Sequence, residues 1–303
     1  MSGTQPSSVE PAVTRPEPFG ARLAAAMDEQ GPLCVGIDPH ASLLQAWGLR
    51  DDVDGLREFS LRVVDALGGK VAAFKPQAAF FERHGSRGLA VLEEVIAAAR
   101  AAGSGTLTIV DAKRGDIGST MGAYAEAFLA EGSPLAGDAL TVSPYLGFGS
   151  LAPAVDLAAA TGRGLFVLCL TSNKEGFEVQ HARTEGPEAA LGGTVAALMA
   201  ARAAVLNAGA QPMGSVGLVV GATIGDAVGA TGTDLVAVNG PLLAPGVGAQ
   251  GAGERELATT FGDARRNVLA SSSRAVLAAG PDLDALVRAA RTAAREAKTA
   301  LRD

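Results

Sequence analysis

Two kinds of segment alternate along this chain. The first kind is short, apolar and rich in β-branched residues: LCVGID (33–38), VAAFKP (71–76), TLTIVD (106–111), ALTVSP (139–144), GLFVLCL (164–170), VGLVVGA (216–222), PLLAPG (241–246) and NVLAS (267–271). Near-continuous hydrophobicity over such lengths is the pattern of parallel strands buried on both faces. The second kind is longer, periodic and rich in Ala, Leu, Glu and Arg, and it predicts helices over 55–67, 88–102, 121–131, 188–207 and 281–300. After the sixth strand the pattern weakens: 224–235 contains three Gly and predicts at best a short helix.

Eight strand–helix units within 303 residues predict an α/β protein, a single-domain (β/α)8 TIM barrel, with a doubly wound open sheet as the second choice. No linker, charge block or repeat divides the chain, so 17–303 reads as one barrel domain. Residues 1–16, rich in Pro and Ser, read as a disordered tail without the basic and apolar regions of a signal peptide. No apolar stretch approaches the ~18 residues a membrane span requires, so no membrane role is expected.

Composition narrows the partners. With 25 basic and 32 acidic residues the formal charge is −7, and aromatics are only 4%. Neither a phosphate-backbone groove nor a base-stacking platform follows, so nucleic acid is not an expected partner. A small anion would need a local pocket of donors. The two cysteines, Cys34 and Cys169, lie inside apolar runs and read as free core thiols, which suits a reducing cytoplasm. His40, His84 and His181 lack ligand spacing, and no Gly-rich dinucleotide motif or Walker A loop occurs. The expected chemistry therefore uses side chains alone, with no metal and no cofactor.

The polar residues that remain collect where apolar strands end: Asp38, Lys75, Asp111, and the pair Thr171 and Ser172. In a barrel those ends form one mouth, the active-site face. Asp111 and Lys113 are two apart, so an extended strand would present them on one face, and Lys75 would meet them from the neighbouring strand. Alternating charges keep each lysine protonated, which makes a poor Schiff-base nucleophile and a well-placed general acid. Late in the chain, the Gly-rich loop PLLAPGVGAQGAG (241–253) and Arg274 follow the seventh and eighth strands, where this fold often binds phosphate. Gly248 and Gln250 supply N–H donors in that loop, and Arg274 supplies a bidentate one.

In order along the chain, GIDPH (36–40), FKPQAAFFERHG (74–85), DAKRGDIGST (111–120), SPYLGFGS (143–150), TSN (171–173), PGVGAQG (245–251) and SSSRA (271–275) resemble the orotidine 5′-phosphate decarboxylase family. The likeness is to its type 2 branch, common in mycobacteria and other actinobacteria. D-x-K-x-x-D-I-x-x-T is the most specific of these motifs; its D-x-K core is shared with sugar-phosphate decarboxylases of the same superfamily. The resemblance implies decarboxylation of orotidine 5′-phosphate to UMP, the last step of UMP synthesis, without cofactor. It implies a catalytic array of Lys75, Asp111, Lys113 and Asp116, with Lys113 as proton donor. Asp38 and Lys75 would hold the ribose, Thr171 and Ser172 the pyrimidine, and Gln250 and Arg274 the phosphate. Asp116, Ile117 and Thr120 would enter the site of a second copy, making a homodimer with shared active sites. SSSRA departs from the Gly-Arg pair that many members carry. The loop 173–187 is the expected lid. Two alternatives are a metal-dependent sugar-phosphate decarboxylase or aldolase, and a non-catalytic nucleotide-phosphate binder.

Overall fold

The computed structural model describes residues 16–103, 105–247 and 254–302. Apart from Pro16, the expected tail lies outside the described residues, as do Gly248 and Gln250. Eight parallel strands among them close into a barrel in chain order: β1 (Leu33–Ile37), β2 (Ala73–Pro76), β3 (Leu107–Arg114), β4 (Ala139–Val142), β5 (Gly164–Leu170), β6 (Val216–Val220), β7 (Leu242–Pro245) and β8 (Val268–Ser272). Closure is made by β1 on β8, with Leu33 beside Ala270 and Val35 beside Ser272. The structure is a (β/α)8 barrel, and the open-sheet alternative is excluded by that closure.

The helices that follow or precede the strands include α1 (Phe19–Gln30), α2 (Val53–Leu67), α3 (Gly85–Ala101), α4 (Gly118–Leu129), α5 (Ala152–Thr161), α6 (Val195–Leu206), α7 (Ala227–Thr231), α8 (Glu254–Phe261) and α9 (Leu283–Arg302), with further short helical segments between them, such as Ala41–Ala46 and Ala78–Glu82. Three departures from the sequence pattern have physical causes. The helix expected over 188–207 starts only at Val195, because Gly192 and Gly193 interrupt it and 186–191 winds as a 3-10 turn. Its start is fixed by Thr194, whose hydroxyl accepts the Ala197 N–H at 3.2 Å. β3 runs on through the polar residues to Arg114, three residues beyond the apolar run. α1 was not among the expected helices, since it precedes the first strand.

α1 closes the amino-terminal end of the barrel. Phe19, Leu23, Ala26 and Met27 form one face and pack on Ala73, Ile109, Phe166 and Leu243 inside the strands. The Phe19 and Phe166 rings meet edge to face, 5.9 Å apart. Arg22 anchors the helix, pairing with Asp138 at 2.5 Å and donating to the Gly162 carbonyl at 3.1 Å.

Alternation along the strands sorts their side chains into two cores. Val35, Ile37, Phe74, Val110, Leu140 and Val167 point outward against the helices. Ala73, Leu107, Ile109, Ala139, Phe166 and Leu269 point inward above α1. The next inward position up each strand is therefore Lys75, Asp111, Thr141, Leu168 and Ser271. The polar residues of the mouth are the top layer of the barrel's own filling.

Candidate active site

At the carboxyl ends of the strands lies a cavity of about 320 Å³. Asp38, Lys75, Asp111, Lys113, Thr171, Ser172 and Arg274 all line it, as the sequence led one to expect. His40, Thr141 and Ser271–Ser273 line it too, without having been expected there. Asp116, Ile117 and Thr120 do not line this chain's cavity. The Asp116 carboxylate accepts the Ile117 N–H at 2.7 Å, and Ile117 is 62% exposed.

Asp111 is the centre of the polar network. Its Oδ2 accepts from Lys75 Nζ at 2.8 Å, and its Oδ1 from Lys113 Nζ at 2.6 Å and Thr141 Oγ1 at 2.8 Å. With its amide turned to face this carboxylate, Gln77 donates to Oδ2 at 3.0 Å and to the Asp111 carbonyl at 2.6 Å. Each carboxylate oxygen thus receives two donors, its full complement. Burial opposes the charge on Asp111, but Lys75 and Lys113 outweigh it and hold the pKa down at about 2. Burial likewise opposes the charge on Lys75, yet Asp111 and Asp38 raise its pKa above the ordinary lysine value. Both partners therefore stay ionised across the neutral range.

The two lysines differ in what they can reach. The Lys75 side chain is 7% exposed, locked between β2 and β3. That of Lys113 is 45% exposed at the mouth, held by the same carboxylate. Of the two, Lys113 is the ammonium open to the mouth of the cavity. It does not get there by plain alternation, as expected from the spacing. Its φ is +47°, and the register of β3 on β4 shifts between Val110 and Arg114.

Beside Lys75 on the neighbouring strand, Asp38 follows β1, and its Oδ1 is buried without a hydrogen-bond partner among the described residues. A buried acceptor in a cavity wall is suited to a ligand hydroxyl. Gly36 leaves room for Ser273: a Cβ there would lie 1.9 Å from the Ser273 hydroxyl. Beyond β5, the Gln180 amide ties the loop down, accepting the Thr171 N–H at 2.9 Å and donating to its hydroxyl at 2.7 Å. Gln180 has no strand-end signal and went unnoticed in the sequence. Burial pushes the Cys34 and Cys169 thiols up to about 12, so both are inert core residues. Among the described residues no group of three or more His, Cys, Asp or Glu side chains is placed to hold a metal ion.

A closed eight-stranded barrel with a carboxylate-clamped ammonium at the carboxyl ends of its strands has the form of a (β/α)8 acid–base enzyme. The chain belongs to the orotidine 5′-phosphate decarboxylase / HUMPS family, whose model matches residues 31–289. A Streptomyces coelicolor protein named orotidine 5′-phosphate decarboxylase is 61% identical over 285 residues, covering 94% of this chain and 99% of its own. A solved Streptomyces avermitilis chain assigned the same activity superposes with a TM-score of 0.89 at 60% identity, over 98% of this chain and 100% of its own. The OMP decarboxylase of Leishmania donovani superposes with a TM-score of 0.71 at 31% identity, over 93% of this chain and 98% of its own.

Proposed function

We infer that the chain is a carboxy-lyase converting orotidine 5′-phosphate to UMP and CO2, the closing step of pyrimidine nucleotide synthesis. The observation that carries this reading is the Lys113 ammonium, exposed at the mouth and fixed at 2.6 Å by a carboxylate kept ionised. The bond from C6 of the pyrimidine to its carboxylate breaks, the electron pair stays on C6, and CO2 leaves. No ring position delocalises that pair well. A positive charge already fixed beside C6 stabilises it without reorganisation, and Lys113 then gives C6 a proton, to be replaced from solvent.

The other wall residues fit the remainder of the substrate. Asp38 and Lys75 take the ribose hydroxyls, which gives the orphan oxygen of Asp38 its partner. Thr171 and Ser172 face the pyrimidine. Arg274, with Gly248 and Gln250 of the 241–253 loop, takes the phosphate. The 173–187 loop after β5 closes over the bound nucleotide, and phosphate binding far from C6 drives that closure. Asp116, Ile117 and Thr120 of each copy complete the cavity of a second, in a homodimer. Two inert buried thiols suit work in the cytoplasm. No described helix is long and apolar enough to cross a membrane.

The test is loss of orotate-ring absorbance on adding orotidine 5′-phosphate, with and without EDTA. Turnover unchanged by EDTA is the expected result. Inactivation by EDTA would favour the metal-dependent sugar-phosphate reading, and UMP binding without turnover the non-catalytic one. Lys113→Ala should lower kcat by at least about 10³-fold while UMP affinity stays within about tenfold, because its charge acts mainly in the transition state.

A further inference from the structure

We propose that Thr141 is the positioning residue that aims Lys113 at the substrate. The inference rests on the decarboxylase reading above and adds a residue outside the expected array.

β3 and β4 are out of step where Lys113 sits. Val110 pairs with Leu140 and Arg114 with Val142, so β3 advances four residues while β4 advances two. The extra length is where Lys113 sits, with its backbone in the left-handed region at φ +47°. A non-glycine residue holds that conformation only when its surroundings impose it.

Thr141 stands on β4 opposite this excess length, fully buried. Its hydroxyl accepts the Lys113 N–H at 3.0 Å, replacing the carbonyl a regular ladder would offer. It donates its own proton to Asp111 Oδ1 at 2.8 Å, the same oxygen that takes the Lys113 ammonium at 2.6 Å. One hydroxyl thus ties both ends of the proton donor: the backbone directly, the ammonium through Asp111. With its single proton on Asp111, the hydroxyl has none left for a ligand. Its contribution passes through Lys113.

Leucine, isoleucine or valine at 141 would fill the barrel but take away the acceptor of the Lys113 N–H, and the strained backbone would relax to recover one. A displacement of the ammonium by a fraction of an ångström lowers the rate of proton delivery and charge stabilisation while leaving nucleotide binding alone.

The experiment compares T141V, which keeps the shape and removes the hydroxyl, with T141S, which keeps the hydroxyl. T141V should lower kcat by about 10- to 100-fold with KM and the UMP dissociation constant within about threefold. T141S should stay within about threefold of the parent in all three. A general weakening of the fold would move KM and UMP binding with kcat, and T141S would share the loss; either pattern overturns the proposal. Parent-like kcat in T141V overturns it as well. If T141V does not fold, T141A is read by the same split and decides the matter. An inactive parent chain would instead sink the decarboxylase reading, so the two failures are distinct.

Discussion

Arg274 shows how one side chain can be tested against one functional group. It lies two residues past the end of β8 and lines the cavity with Gly246 and Val247 of the β7 end. A guanidinium at that corner has the fork geometry for a phosphate monoester. Arg274→Ala should therefore lower kcat/KM for orotidine 5′-phosphate by about 10²-fold or more, in line with loss of a charged partner. For orotidine, which lacks the phosphate, the change should be less than about threefold. Equal losses on both substrates would place Arg274 elsewhere than on the phosphate. The contrast between substrates matters more than either number, because it removes any effect of the variant on stability or on the pyrimidine end. At this scale the sequence disclosed most of the site. Asp38, Lys75, Asp111 and Thr171 were legible because a charge or hydroxyl at the end of an apolar run is visible in a few adjacent residues. Thr141, Gln77 and Gln180 were not. Thr141 in ALTVSP reads as an ordinary β-branched strand residue, and its significance lies in Asp111 and Lys113, about thirty positions away.

Among the elements, β5 was legible to the residue, since Gly164–Leu170 is apolar and bounded by a turn at each end. The end of β3 was hidden by its own function. Asp-Ala-Lys-Arg has no strand pattern, yet it extends β3 because Lys75, Gln77 and Thr141 supply partners for its polar groups. α1 carried an amphipathic signal in Phe19, Leu23, Ala26 and Met27, but its place under the barrel depends on where β5 and β6 leave space. Gly164 makes that space. A Cβ there would lie 2.1 Å from the Phe19 ring, so Gly164→Ala forces the ring and α1 away from the barrel floor. Overpacking of this kind costs about 1–3 kcal/mol. The thermal midpoint should fall by several degrees, as measured by calorimetry, while KM for orotidine 5′-phosphate stays unchanged because the mouth lies at the opposite end. An unshifted midpoint would mean that α1 does not seal the barrel.

At the scale of the whole molecule, the number of chains that make one site can be tested by mixing variants. A single chain supplies the Lys75–Asp111–Lys113 network but keeps Asp116 out of its own cavity. Ile117, Tyr145 and Leu146, on the loops after the neighbouring strands β3 and β4, are 62%, 76% and 53% exposed. Large apolar side chains gathered at one end of a barrel suit a contact between copies. If Asp116 acts in the partner's cavity, two inactive variants should rescue one another. Equal amounts of Lys113→Ala and Asp116→Asn chains, mixed under exchanging conditions, place half of all dimers in the mixed form by random assembly. In each mixed dimer one site carries both defects and the other carries neither, so roughly a quarter of the parent activity should return in a two-fold symmetric dimer. If Asp116 instead turns back to its own Lys113, every site retains one defect and no activity returns. Mass spectrometry of the mixture establishes that the mixed dimers have formed, so an inactive mixture containing them would rule out the shared site.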